Sequence, residues 1–207
     1  ALLELDKYHS SNPENVESLT LNGRAHAASG DLDSAVTTLN KALSLDPTAV
    51  DGRFYLARVY WQKQDFDRAR SLFNDIITTD KTFTRAYYML AGLETSQGRT
   101  EEALRIYQLL LKAAPRELQA HYMLGMLQMD LGKLDDARQT VDAVLASFPG
   151  KAEGLRLKGL LLYRQGKLEA AEQTFTEALK SEQHVLSYYF LGLSLYGQGK
   201  LETALNQ

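Results

Sequence analysis

Apolar side chains recur along this chain at spacings of three and four residues, in runs separated by short polar breaks. One run contains Leu56 and Tyr60, and the next contains Ala69 and Phe73, with a break at Gln64 between them. Such spacings place apolar side chains on one face of an α-helix. The pattern therefore predicts pairs of helices joined by a tight turn.

The turns between the paired helices recur with a period of 34 residues. They lie at Gly30, Gln64, Gly98, Gly132, Gly166 and, after 33 residues, Gly199. Five residues after each turn stands Ala35, Ala69, Ala103, Ala137, Ala171 or Ala204, and seven residues before it stands Gly23, Ala57, Ala91, Gly125, Gly159 or Gly192. Because helices cross closely only where side chains are small, these positions predict helix crossings. The second helix opens with an acid, which suits the helix dipole, at Asp33, Asp67, Glu101, Asp135, Glu169 and Glu202.

This lattice resembles the tetratricopeptide repeat (TPR) family. One unit reads Leu124-Gly125, Gly132, Ala137 and Pro149, and another reads Leu56-Ala57, Tyr60, Ala69 and Phe73. The resemblance covers the whole chain and implies an all-α, right-handed solenoid of antiparallel helix pairs with about six repeats. In this register the full repeats span 16–49, 50–83, 84–117, 118–151 and 152–184. Residues 1–15 then form the second half of a preceding repeat, and residues 185–207 start a further, truncated one, so we expect a single array cut from a longer protein. The connection at 180–184 is one residue shorter than its counterparts, which predicts a local change of repeat angle.

In this family the first helices of successive repeats line a concave surface. Helix geometry places Phe54, Arg58 and Trp61 on one stripe, away from the core stripe that contains Leu56 and Tyr60. Equivalent positions elsewhere carry aromatic, Met and Arg side chains, which are enriched at protein interfaces. The predicted partner-binding groove contains Phe54, Arg58, Trp61, Arg85, Tyr88, Tyr122, Met126, Met129, Arg156, Tyr163, Tyr189 and Tyr196. The alternative is that these rings pack sideways against the neighbouring first helix.

The charges near the predicted groove nearly cancel. The arginines are Arg24, Arg58, Arg85, Arg156 and Arg164, and the acids are Glu17, Asp51, Asp130 and Glu153. The groove therefore suits an apolar or aromatic segment with a few polar anchors. Some members of the family hold a C-terminal carboxylate with paired Lys and Asn on this face, but the groove positions contain neither residue, so we do not expect that mode.

Composition excludes several other classes of function. The 23 Lys and Arg against 26 Asp and Glu give a net charge of -3, which argues against nucleic-acid binding. The chain has no Cys, and its longest apolar run, Leu160 to Tyr163, is far too short to insert into a membrane. His26 and His121 lie on first helices, where we expect them to pack. No catalytic or metal-binding arrangement emerges, so we expect no enzyme, no metal and no cofactor.

These observations predict a non-enzymatic scaffold that binds a protein or peptide segment as part of a multiprotein assembly. One alternative is a regulatory or spacer array attached to an enzyme or secretion component; another, an RNA-binding pentatricopeptide array, would have period 35 and a basic surface. The Gln-Gly-Lys-Leu-Glu turns are similar to those of bacterial TPR proteins of envelope systems such as exopolysaccharide secretion or pilus assembly, which favours the periplasm or envelope over the cytoplasm. Unfinished apolar faces at Leu2, Leu5, Leu201 and Leu205 predict end-to-end self-association.

Overall fold

The computed structural model describes residues 15–205, which form twelve α-helices and no strand. The helices are α1 (Val16–Ala28), α2 (Leu32–Leu45), α3 (Val50–Gln62), α4 (Phe66–Thr79), α5 (Thr84–Ser96), α6 (Thr100–Ala113), α7 (Leu118–Asp130), α8 (Leu134–Ser147), α9 (Ala152–Arg164), α10 (Leu168–Ser181), α11 (Val185–Gly197) and α12 (Leu201–Leu205). The odd-numbered helices are the first helices of the predicted pairs, and the even-numbered helices are the second. The predicted half-repeat 1–15 lies, apart from Asn15, outside the described residues.

The helices divide into two compact units. Unit 1 ends at Arg99 and contains α1 to α5, whereas unit 2 begins at Thr100 and contains α6 to α12. Within unit 1 each helix packs against the next, and α1 also packs against α3. Within unit 2 each helix again packs against the next, while α7 also packs against α9 and α9 against α11. In both units, therefore, neighbouring first helices touch. The repeat boundaries drawn from the sequence remain a prediction.

The turn within each helix pair depends on one residue with a left-handed backbone. Gly30 has φ 87° and Gly132 has φ 72°, a conformation that costs glycine little because it lacks a Cβ. Gln64 takes the same place with φ 62°, and it is the non-glycine residue with positive φ among residues 15–205. The turn positions predicted from the 34-residue period are confirmed, and the chain tolerates strain at one of them.

The two connections between successive pairs in unit 1 are fixed by side-chain hydrogen bonds. Asp46 accepts hydrogen bonds from the N–H and the hydroxyl of Thr48, at 2.8 and 2.7 Å. Asp80 accepts the same two bonds from Thr82, at 2.9 and 2.6 Å. Because the Asp and Thr build this turn, Lys81 can replace the proline found in the equivalent connection.

The connection before α11 differs from the others. Only residues 182–184 separate α10 from α11, whereas four residues separate α8 from α9. His184 closes this connection, since its Nδ1 accepts the N–H of Leu186 at 3.2 Å. The predicted shortening is confirmed, and the predicted change of repeat angle stays a prediction.

The small residues of the lattice lie where helices cross. Ala35 and Ala137 are fully buried. A Cβ placed on Gly23 would lie 2.5 Å from Cγ of Leu39, and one placed on Gly159 would lie 2.7 Å from the ring of Phe175. These side chains therefore fill the space that the glycines leave, and the predicted close crossings are confirmed.

Candidate functional site

The first helices of unit 1 form a groove, which we call the trough. A cavity of 510 Å³ lies between α1 and α3, lined on its apolar side by Leu21, Ala25 and Val59. A second cavity of 570 Å³ adjoins it toward the N-terminal ends of the same helices. Leu21, Arg24 and Tyr55 line both cavities, so the trough runs along α1 and α3 past these three side chains.

Two arginines hold the Tyr55 ring in the middle of the trough. The guanidinium carbon of Arg24 lies 4.4 Å from the centre of the Tyr55 ring, and that of Arg58 lies 5.7 Å from it. Both arginines are exposed, whereas Tyr55 is half-buried. Cations over the face of an aromatic ring are attracted by its quadrupole. The ring therefore orders both cations at the surface without neutralising their charge.

Phe54 does not lie on the accessible face, contrary to the sequence prediction. It is only 4% exposed and packs edge-on against Phe73, at 5.9 Å between ring centres, and against Phe83, at 5.3 Å. The helical wheel counted Phe54 as opposite the core because it took no account of the connection, where Phe83 covers the ring. Phe54 is a core residue of unit 1.

The other predicted groove residues of unit 1 remain at least partly accessible. Arg58 and Arg85 are exposed, while Trp61 and Tyr88 are half-buried. Trp61 lies against α5, because a Cβ placed on Gly92 would lie 3.3 Å from the indole ring. Arg85 stacks on Phe83, at 4.6 Å from the ring centre, and pairs with Asp51 at 3.0 Å. Arg85 therefore lines the second cavity with its charge already balanced.

The first helices of unit 2 present a more closed face. Met129 and Arg156 are buried, so both predictions of accessibility are wrong. Met129 belongs to the apolar core of the unit, and Tyr122, Met126 and Tyr163 pack against that core while remaining half-buried. Tyr163 packs against Phe190 of the neighbouring first helix, at 5.4 Å between ring centres, which is the sideways packing considered as the alternative.

The charged and polar groups on this face are either paired within unit 2 or buried. Arg156 is paired with Glu182, which lowers the pKa of that carboxyl, and not with the neighbouring Glu153. The hydroxyl of Tyr122 is buried and makes no hydrogen bond of normal geometry within residues 15–205. Burial raises the pKa of Tyr122, and the nearby guanidinium of Arg156 partly offsets this.

The accessible aromatic rings of unit 2 are concentrated in α11. Tyr189 is 58% exposed and Tyr196 is 66% exposed. Val185, Leu201 and Leu205 are exposed nearby, so α11 and α12 present apolar surface to solvent. Leu2 and Leu5, the other side of the predicted end-to-end contact, lie outside the described residues, and self-association stays a prediction.

The predicted groove omitted several trough residues, among them Leu21 and Tyr55. Each follows a position of the predicted stripe by one residue in the sequence, so it lies on an adjacent face of the helix. A signal was present, because Arg24 and Arg58 occupy the same position in consecutive repeats and Tyr55 precedes Arg58 by three residues, on the same helix face.

The described part of the chain contains neither a metal-binding cluster nor a membrane-spanning helix. Within residues 15–205 no group of three or more His, Asp or Glu side chains could hold a metal ion. None of the helices between those residues is long and apolar enough to cross a membrane. His121 packs edge-on against Phe148, and its Nε2 lies 2.9 Å from the carbonyl oxygen of Pro115.

Comparison with known proteins agrees with the repeat lattice. Residues 5–121 match the family model of the cytochrome c-type biogenesis protein H TPR domain. Residues 122–183 and 156–207 match a tetratricopeptide repeat model. No curated protein sequence matches the chain.

Several solved structures share the fold. A tetratricopeptide repeat protein from Parabacteroides merdae superposes with a TM-score of 0.76 at 21% identity, over 92% of this chain and 76% of that one. PilF of Pseudomonas aeruginosa gives 0.67 at 19% identity, over 92% and 87% of the two chains. YrrB, described as a TPR protein with an unusual peptide-binding site, gives 0.63 at 22% identity, over 89% and 96%.

These likenesses confirm the predicted fold class, an all-α array of TPR helix pairs. The family is established by the model matches, which together cover residues 5–207 and of which one alone covers more than half of the chain. The chain belongs to the tetratricopeptide repeat family.

Proposed function

We propose that this chain is a non-enzymatic scaffold that binds a protein or peptide segment along its first helices. The observation that carries the proposal is the trough in unit 1, where apolar side chains, the Tyr55 ring and exposed arginines adjoin two cavities. Interfaces commonly combine an apolar centre with Tyr and Arg anchors in this way. A bound peptide would pack apolar side chains against the apolar centre and would form hydrogen bonds with the Tyr and Arg anchors.

The family supports the same function. TPR proteins act as interaction scaffolds, and YrrB is described as having a peptide-binding site. The match of residues 5–121 to a TPR domain of cytochrome c-type biogenesis supports a place in a multiprotein assembly. We propose that Arg58, Trp61, Arg85 and Tyr88 contribute to binding in unit 1, and that Tyr189 and Tyr196 offer a separate contact surface in unit 2.

The test is a selection of random peptides displayed on phage against the immobilised full chain. Affinities of the enriched peptides are then measured by calorimetry. We expect Tyr55→Ala and Trp61→Ala each to weaken binding at least tenfold, because truncating a large aromatic anchor commonly costs 2 kcal/mol or more. Lys112→Ala, an exposed change on α6, is the control and leaves affinity unchanged.

Two results would contradict the proposal. Failure to enrich any peptide would favour the alternative in which the repeats act as a spacer or regulatory array. Enriched peptides that bind wild type and Tyr55→Ala/Trp61→Ala equally would move the binding surface away from the first helices of unit 1.

A further inference from the structure

The arginines of unit 1 fall into two groups. Five of the seven donate hydrogen bonds to oxygens of the chain: Arg53 to the Thr48 carbonyl, Arg68 to Asp65, Arg70 to Asp67 and Glu94, Arg85 to Asp51, and Arg99 to Glu94. Arg24 and Arg58 make no ion pair and no hydrogen bond within residues 15–205. These two are also the arginines that stack on Tyr55 in the trough.

Stacking leaves these guanidinium groups ready to bind an acceptor. A guanidinium that lies over a ring uses its face, whereas its N–H donors lie in its plane and point outward. Because Tyr55 restrains both side chains, less conformational entropy is lost when an acceptor binds. Their natural complement is a carboxylate, which accepts two parallel hydrogen bonds from one guanidinium.

The surface beside the arginines is apolar. Leu21, Ala25, Ala28 and Val59 line the 510 Å³ cavity on the side of the trough toward the C-terminal ends of α1 and α3. A carboxylate held by Arg24 or Arg58 would therefore have an apolar side chain of the same ligand as its neighbour. The adjoining cavity contains Asp51, already paired with Arg85, and Glu17, which would repel a second acid there.

The trough also continues on both sides of the arginines. One cavity reaches Ser29 and Gln62 and the other reaches Asn15 and Val16, so the two extend along the whole of α1. A helix of 13 residues is about 20 Å long, which matches about six residues of extended peptide. A groove that extends along the helix on both sides of the arginines suits a segment from within a chain better than a terminal carboxylate.

We propose that the trough binds an internal, extended peptide segment in which an acidic side chain and an apolar one lie two residues apart, and therefore on the same face of the segment. The acid binds Arg24 and Arg58, and the apolar side chain enters the cavity beside Leu21 and Val59. This inference rests on the proposed function and adds the chemistry of the partner to it.

The experiment compares three short fluorescent peptides by fluorescence polarisation on the full chain. The first carries glutamate and leucine in turn at every second position, with serine between them, and has both ends blocked. The second replaces every glutamate with glutamine, and the third is the glutamine peptide with a free C-terminal carboxylate. The variants are Arg24→Gln/Arg58→Gln and the control Arg116→Gln/Arg138→Gln, which removes the same charge from exposed positions of unit 2.

We expect the glutamate peptide to bind wild type and the control variant at least tenfold more tightly than the glutamine peptide. The Arg24→Gln/Arg58→Gln variant should lose this preference, and circular dichroism should show that it remains helical. Because the contact is charged and exposed, raising the salt concentration should weaken the glutamate peptide selectively.

Three results would overturn the inference. Equal binding of the glutamate and glutamine peptides, both weakened by Tyr55→Ala, would leave the proposed function standing and remove the acidic specificity. Preference for the free carboxylate over the glutamate peptide would assign the arginines to a chain terminus. A glutamate preference that survives in Arg24→Gln/Arg58→Gln, or no binding of the glutamate peptide at millimolar concentration, would also contradict it.

Discussion

The first helices of both units carry arginine and tyrosine side chains, and the two units use them differently. In unit 1, Arg24 and Arg58 stand exposed beside a half-buried Tyr55, with cavities on both sides. In unit 2, Arg156 is buried against Glu182, and Tyr122 is packed onto the core. The comparison teaches that an aromatic or arginine on the groove stripe does not by itself make a binding surface. Such a side chain is available for binding only where the neighbouring helix and connection leave it uncovered.

The first way to test this comparison is to truncate a covered ring and an open one. Phe54→Ala removes a ring enclosed by Phe73 and Phe83, so we expect it to lower the free energy of unfolding by about 3–5 kcal/mol. Tyr189→Ala, in the exposed part of α11, should change it by no more than about 0.5 kcal/mol. Urea denaturation of both variants measures the difference, and similar losses would show that exposure does not separate the two classes of ring.

The second test asks whether unit 2 is as tightly packed as its closed face implies. Ala137 is fully buried on α8, so Ala137→Leu should overpack the crossing and cost about 1–3 kcal/mol. Ala146, on the same helix, is exposed, and Ala146→Leu should be nearly neutral. Thermal melts that do not distinguish the two variants would mean that the assigned packing face of α8 is wrong.

The third test concerns the turns, where unit 1 again departs from unit 2. Unit 2 has glycine at positive φ in each of its helix-pair turns, at Gly132, Gly166 and Gly199, whereas unit 1 has Gln64 in the turn between those at Gly30 and Gly98. We expect Gln64→Gly to stabilise the chain by about 1 kcal/mol, because it removes the steric cost of the left-handed backbone. Gln108→Gly, an exposed change inside α6, should have the opposite sign and a similar size. Destabilisation by Gln64→Gly would show that the glutamine side chain contributes to the turn.

The smallest expected effect concerns the buried hydroxyl of Tyr122, which lies near the guanidinium of Arg156. Since Tyr122→Phe keeps the ring and removes a buried polar group, it should leave stability unchanged at neutral pH or raise it by up to about 1 kcal/mol. Tyr189→Phe is the exposed control.

Burial of the same hydroxyl predicts that the stability of the folded state depends on pH. Burial raises the pKa of Tyr122 above its ordinary value of 10.0, so the folded state retains the proton longer than the unfolded state. Its contribution to stability is therefore complete below pH 10 and is lost as the pH rises through the folded-state pKa. Above pH 10 the free energy of unfolding of wild type should fall more steeply with pH than that of Tyr122→Phe, as measured by urea denaturation at each pH. Equal pH dependence of the two proteins would contradict the burial of this hydroxyl.

The sequence predicts most of the fold because a short local pattern determines each element. The turn residues from Gly30 to Gly199, the small residues at the crossings and the acids that open the second helices all follow from the 34-residue period. Each of these positions depends on contacts within a helix pair or with its neighbour, so the repeat itself carries the information.

The site is less predictable because accessibility depends on several elements together. Phe54 is covered by Phe83, which belongs to a connection and not to the helix whose periodicity was analysed. Arg156 is covered because Glu182, in the shortened connection before α11, reaches it. Tyr55 belongs to the trough together with Arg24 of α1, which lies over its ring. A helical wheel of one helix cannot show these contacts, because each of them involves another helix or a connection.

Mapping amide chemical shifts by NMR while adding the blocked glutamate–leucine peptide tests the central claim most directly. The account predicts saturable shifts concentrated in α1 and α3, between Val16 and Gln62, and their loss in Arg24→Gln/Arg58→Gln. It would be contradicted if the largest shifts fell on α7, α9 or α11, or if the same shifts persisted in that variant.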